Sequence, residues 1–158
     1  MSWSMWLKNP KTGDRLECKE PHFMFGPNVC LGGTTFLELD VTYNYGRIYR
    51  KVGFSFNEDL YGKTGKEAVH VLHEAIEKIL ELDNEKETEA ILKEDKERLK
   101  RAREDYRSGK ITQETFNLIS NERDPDDYWF PSPKNAITAL ENLVRLSEMG
   151  LVGVWEGD

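Results

Sequence analysis

The sequence predicts an α+β fold, an N-terminal antiparallel sheet packed by two core helices, with a charged helical hairpin set between those helices. Three observations carry this. Residues 34–45 alternate as a strand does, two later segments repeat apolar residues at helical spacing, and the stretch between them is too polar to bury. With 158 residues the chain has the size of one domain, residues 1–158, and such a domain buries about two thirds of its unfolded surface without disulfides or metal.

The sheet is expected within residues 2–56. Residues 2–8 place Trp3, Met5 and Leu7 on one face, and the Pro and Gly turn NPKTGD leads into RLECK, which is a hairpin signal. Residues 20–33, rich in proline and glycine, read as a loop. In the main strand Thr35, Leu37, Leu39, Val41, Tyr43 and Tyr45 share one face, opposite Phe36, Glu38, Asp40, Thr42 and Asn44. From Arg47 to Phe56 aromatic and β-branched content predicts a further strand.

Helical periodicity begins at Thr64, which with Glu67 fits a capping box, and runs over residues 65–82. A second core helix over 133–149 is capped by Ser132, has Pro133 at its first position and ends at Gly150. Leu72, Ile76, Ile79, Leu140 and Val144 are expected to be buried. The tail LVGVWEGD is expected to return Val152, Val154 and Trp155 to the sheet. Residues 85–122 form the hairpin: a charged helix broken at Ser108-Gly109-Lys110, then a short one capped by Thr112 and carrying Phe116, Leu118 and Ile119. It is read as acidic, as projecting from the body, and as the contact for a homodimer or another partner.

The net charge is −7, with 9 Lys and Arg against 7 Asp and Glu up to Lys66 and 13 against 22 beyond it. That balance argues against duplex nucleic acid or an anionic membrane as partner of the whole molecule, and leaves room for a small phosphate ligand in the N-terminal part. Cys18 and Cys30 read as reduced thiols, against the alternatives of a disulfide or a half metal site with His22. With no leader pattern and no long apolar span, a cytoplasmic location is expected.

Motifs for chemistry are weak. Gly62-Lys63-Thr64 suggests a phosphate loop, but Asn57 stands where that motif needs glycine. His70 and His73 lack both the metalloprotease order and a third ligand, and Asp124, Asp126 and Asp127 do not follow the calcium-loop pattern. No catalytic residue, metal ligand or cofactor is assigned, and a small enzyme using His22, Asp40 or the His70 and His73 pair is the minority reading. For ligand binding the candidates are Tyr43, Tyr45 and Tyr49 for stacking, Arg47, Arg50 and Lys51 for phosphate, and His22 and Asn44 for polar contacts. For a protein partner the candidates are Tyr128, Trp129 and Phe130 in the loop before the last helix.

The N-terminal MSWSMWLKNPKTGDRLECKEPH, the GGTTFLELDVTYNYGR strand, YGKTGKEA, DDYWFPSPKNAITALENL and GVWEGD together resemble a group of small proteins encoded by phages and prophages of Firmicutes. The resemblance covers both ends of the chain and implies that residues 85–122 are an insertion. It implies phage origin and carries over no activity or catalytic residue. The expected function is a non-enzymatic counter-defence protein, acting in the infected bacterial host cell, that sequesters a nucleotide-derived immune signal. The alternative is an inhibitor that binds a host defence protein through the acidic hairpin and the aromatic loop.

Overall fold

Period-two patterning builds the first strand of the computed structural model, which describes residues 1–24, 33–121 and 123–158. In β1, Ser2–Lys8, Met5 and Leu7 are buried, while Ser4, Trp6 and Lys8 lie on the opposite face. The turn that follows closes through Asn9, whose carbonyl accepts from Gly13 at 2.8 Å, and Gly13 holds a φ of 78° that favours glycine. Beyond the turn the chain pairs with β1 through the short Lys8 to Arg15 bridge, with the Leu16 amide donating to the Leu7 carbonyl at 2.8 Å and Arg15 over the Trp6 ring, before leaving as β2, Glu17–His22. The expected hairpin therefore closes only at its turn, and β2 pairs with another strand in place of β1.

The long central strand divides at Leu37. Its first part, Thr34–Phe36 (β3), pairs with β2 in a separate two-stranded sheet; its second, Glu38–Thr42 (β4), runs antiparallel to β1 with Met5 opposite Leu39 and Trp3 opposite Val41. The alternation holds across the break, since Leu37, Leu39 and Val41 are all buried. The loop predicted at 20–33 and Cys30 lie largely or wholly outside the described residues. Cys18 donates through its sulfur to the carbonyls of Glu20 at 2.9 Å and Thr35 at 3.3 Å.

Strand geometry stops at Thr42, which corrects the reading of residues 43–56. Thr42 Oγ1 accepts from the Asn44 amide, a 3-10 turn spans Tyr43–Tyr45, and α1 follows at Gly46–Lys51. A π-helical turn then covers Phe56–Leu60. The physical reason is helical spacing: Tyr45, Ile48 and Tyr49, at i, i+3 and i+4, are all buried, and this tertiary demand overrides the β-propensity of their side chains.

Two helices cover the inner sheet face. The first, α2 (Gly65–Leu80), starts with the expected capping box between Thr64 and Glu67. After α3 (Asn84–Arg107) and α4 (Gln113–Ile119), α5 (Pro133–Met149) begins at the Ser132 cap with Pro133 in the first turn. Leu72, Ile76, Ile79, Leu140 and Val144 are buried as expected. The α2 start packs directly against the α5 end: a Cβ on Gly65 would lie 2.4 Å from the Gly150 carbonyl oxygen and 2.6 Å from that of Ser147. The tail returns as β5, Val154–Gly157, on the other edge of β1. Trp155 is buried there and donates through Nε1 to Ser147 Oγ at 2.9 Å, whereas Val152 is 77% exposed and outside the strand.

Helices α3 and α4 form the hairpin, with Tyr106 stacked on Phe116 at 5.2 Å between ring centres. It is not a free-standing projection. Its proximal half is fastened to the body by Glu87 to Lys51 and Glu94 to Arg47, each at 2.5 Å, and by Asn84 accepting from the Lys134 amide at 3.1 Å, with Ile91 fully buried beneath. Among the described residues, no helix is long and apolar enough to cross a membrane.

Candidate functional site

Local packing decides how many of the eight candidate ligand residues are available. Tyr45 is fully buried, its hydroxyl donating to the Tyr128 carbonyl, and Tyr49 is buried with its hydroxyl donating to the Ala136 carbonyl at 3.2 Å. Burial, then the neighbouring Tyr128 and its hydrogen bond, pushes the Tyr45 phenol far above its usual range; burial does the same for Tyr49. The two rings meet edge to face at 6.2 Å and act as core pillars, with no face for a base.

Arg47 and Lys51 are held by Glu94 and Glu87, so their charge serves to dock α3. His22 is buried in β2: Nε2 donates to the Phe36 carbonyl at 2.6 Å and Nδ1 accepts from the Met24 amide at 3.1 Å. Asn44 donates to the Trp129 carbonyl at 2.9 Å. These residues are structural ties in this conformation.

Tyr43 and Arg50 remain open. Tyr43 is 41% exposed and stands edge to face against the half-buried Trp3 at 4.7 Å. Arg50 is exposed and unpaired among the described residues, and it converges with Trp3 above Gly46. A Cβ on Gly46 would lie 3.2 Å from the tip of the Trp3 indole and 3.4 Å from Arg50 Nη1. The result is a small aromatic and cationic surface patch of Trp3, Tyr43 and Arg50. Trp3 was missed in the sequence reading because it lies forty residues away from the segment, brought there by its pairing with Val41.

The aromatic trio is likewise a latch. Phe130 is buried, Tyr128 and Trp129 are half-buried, and Asn135 Nδ2 donates to the carbonyls of Asp127 and Phe130, both at 2.9 Å. Asp124 and Asp127 accept from the amides of Asp126 and Trp129, which is turn capping. The amides ahead of and opening α2 are occupied too: Gly62, Gly65 and Lys66 donate to the carbonyls of Trp155, Gly153 and Leu151, so no phosphate cradle is open there. Among the described residues, no group of three or more His, Cys, Asp or Glu could hold a metal ion.

The hairpin is not acidic. Residues 85–122 carry 9 Lys and Arg against 10 Asp and Glu, and the structure sets three of the acids against cations while Glu85, Glu89, Glu97, Glu104 and Glu114 stay exposed. Glu87, Glu94 and Asp95 turn toward cations of the body or the returning chain, Asp95 accepting from Arg123 Nε at 2.9 Å and Nη2 at 2.6 Å. The opposite flank of α3 holds Lys93, Lys96, Lys100, Arg103 and Arg107 at 3-4-3-4 spacing, all exposed and none in an ion pair among the described residues. Four of them line a shallow groove with Leu99 and Glu104. That spacing was present in the sequence but hidden by a count over the whole segment.

No family model, curated protein or solved structure matches the chain.

Proposed function

We propose that this is a non-enzymatic binding protein whose hairpin is a braced arm that engages a macromolecular partner, in the counter-defence setting expected of a phage protein. One observation carries the reading: three acids of the arm, Glu87, Glu94 and Asp95, hold it to the body and the returning chain, while Lys93, Lys96, Lys100, Arg103 and Arg107 face outward and are in no ion pair among the described residues. A surface built by that sorting is preorganised for an acidic partner, because the ordering cost is met within the fold. The counter-defence setting rests on the resemblance of the two chain ends to phage proteins. The test is phage plating on bacteria that carry a defence system, comparing the full chain with a version in which residues 100–119 are replaced by a short Gly and Ser loop. The full chain should restore plating and the shortened arm should not, with the body melting unchanged. Equal rescue by both would remove the arm from the function.

A second reading is favoured by the Trp3, Tyr43 and Arg50 patch, which offers aromatic rings beside a guanidinium in no ion pair among the described residues. There the protein captures a nucleotide-derived immune signal. Calorimetry with cyclic dinucleotides and ADP-ribose-type signals tests it: binding lost in Arg50→Ala supports capture, and no heat with any of them removes it.

A further inference from the structure

Where the arm's partner is concerned, the chemistry of the basic row narrows the class. The five cations recur every three or four residues, so they stand about 5 Å apart along the axis and span about 21 Å from Lys93 to Arg107. Over that length a DNA duplex presents about 12 phosphate charges. The apolar floor of the groove, Leu99, is only 4% exposed, so a protein partner would find no apolar anchor in the row, whereas a phosphate backbone needs none. No aromatic lines the groove, which removes base stacking as its mode of contact.

The overall charge of −7 does not oppose this. Lys100, Arg103 and Arg107 lie about 9 to 20 Å beyond Glu94, the most distal residue of α3 tied to the body. That is about one to two and a half screening lengths at physiological salt, about 8 Å each. The body's negative charge is therefore weakly felt at the row and limits docking to the arm. A single helix flank fits the B-form major groove, about 12 Å wide, but not the narrow major groove of duplex RNA.

We infer that the Lys93, Lys96, Lys100, Arg103 and Arg107 row binds the phosphate backbone of duplex DNA without reading its sequence. This rests on the reading of the arm as the partner-binding element. With four or five phosphates neutralised, affinity should fall about 150- to 500-fold between 50 and 200 mM salt.

The experiment is fluorescence anisotropy of the full chain with a labelled 25-base-pair DNA of mixed sequence, repeated with duplex RNA of the same sequence and with polyglutamate as competitor. Lys100→Glu, Arg103→Glu and Arg107→Glu together should lower affinity at least 30-fold. The control pair Lys19→Glu and Lys66→Glu, exposed cations of the body, should change it less than threefold. Equal loss in both sets means that only net charge matters and overturns the proposal. Tighter binding to RNA, displacement by polyglutamate at matched charge, or no binding at 50 mM salt overturns it as well. Restored phage plating without DNA binding would refute this inference and leave the proposed function standing.

Discussion

Arg123 grips Asp95 with two parallel hydrogen bonds, at 2.6 and 2.9 Å, and so ties the chain returning from α4 to the middle of α3. Asp95 is only 4% exposed, and Arg98 adds a second cation at 3.3 Å. This clamp is the far fastening of the arm, beyond the docking pairs at Glu87 and Glu94.

Asp95→Asn should therefore loosen the arm and leave the body intact. Removing the charge from a bidentate, mostly buried pair costs about 1–3 kcal/mol, the lower end allowing for the partly exposed Arg123. Hydrogen exchange should show faster opening of α3 beyond residue 95 and unchanged protection in α2 and α5. Unchanged arm protection would mean that the clamp contributes nothing.

The same pair sets an acid limit. Burial raises the Asp95 carboxyl, but the hydrogen bonds and charge of Arg123, with Arg98, outweigh it and hold its pKa below the usual value. A depressed carboxylate stabilises the folded state above its unfolded pKa, about 3.9, and loses that contribution as pH falls through the lower folded value. Arm protection should be flat from pH 5 to 8 and fall below about pH 4. A decline already at pH 6 would assign the effect to another group.

Gly65→Ala should destabilise the body, although alanine normally favours a helix by about 1 kcal/mol. Its Cβ would lie 2.4 Å from the carbonyl oxygen of Gly150, a backbone atom in a packed junction. A loss of about 1–3 kcal/mol in urea unfolding is expected, with Lys66→Ala, one exposed position later, close to neutral. A stabilised Gly65→Ala would refute the close junction.

At alkaline pH the tyrosine pillars become the weak point. Tyr61 is pushed up to about 12 by burial, then by the charges of Asp158 and Tyr43, and burial raises Tyr45 and Tyr49 further. A phenol raised above its unfolded value favours the folded state below about pH 10, and that contribution is lost as pH rises through the folded value. Ultraviolet titration should show these phenols resisting ionisation past pH 10 and then ionising together as the fold opens. Smooth independent ionisation of all tyrosines near pH 10 would contradict their burial.

Much of this was legible from pattern. Met5, Leu7, Leu39 and Val41 announced the sheet, the Thr64 box and Ser132 cap announced two helix starts, and Leu72 and Leu140 announced the core. The failures share a physical cause. Tyr45, Ile48 and Tyr49 satisfy both strand propensity and helical spacing, and their burial, with Tyr45 bonded to Tyr128 and Tyr49 to Ala136 far along the chain, favours the helix. Arg47 and Lys51 looked free because their partners, Glu94 and Glu87, lie some forty residues on. The hairpin looked acidic because the charge was counted over the whole stretch beyond Lys66, 13 cations against 22 acids, whereas residues 85–122 alone carry 9 against 10, and it looked free because the residues that fasten it lie far away in the chain.

The central claim is that the outward basic flank of the arm, and not the patch beside Trp3, is the working surface. Phage plating on defence-bearing bacteria should compare two full-length variants of equal expression, Lys100→Glu with Arg103→Glu and Arg107→Glu, and Tyr43→Ala with Arg50→Ala. The account predicts that rescue is lost in the first and kept in the second. Rescue kept in the first and lost in the second would contradict it and return the function to the aromatic patch.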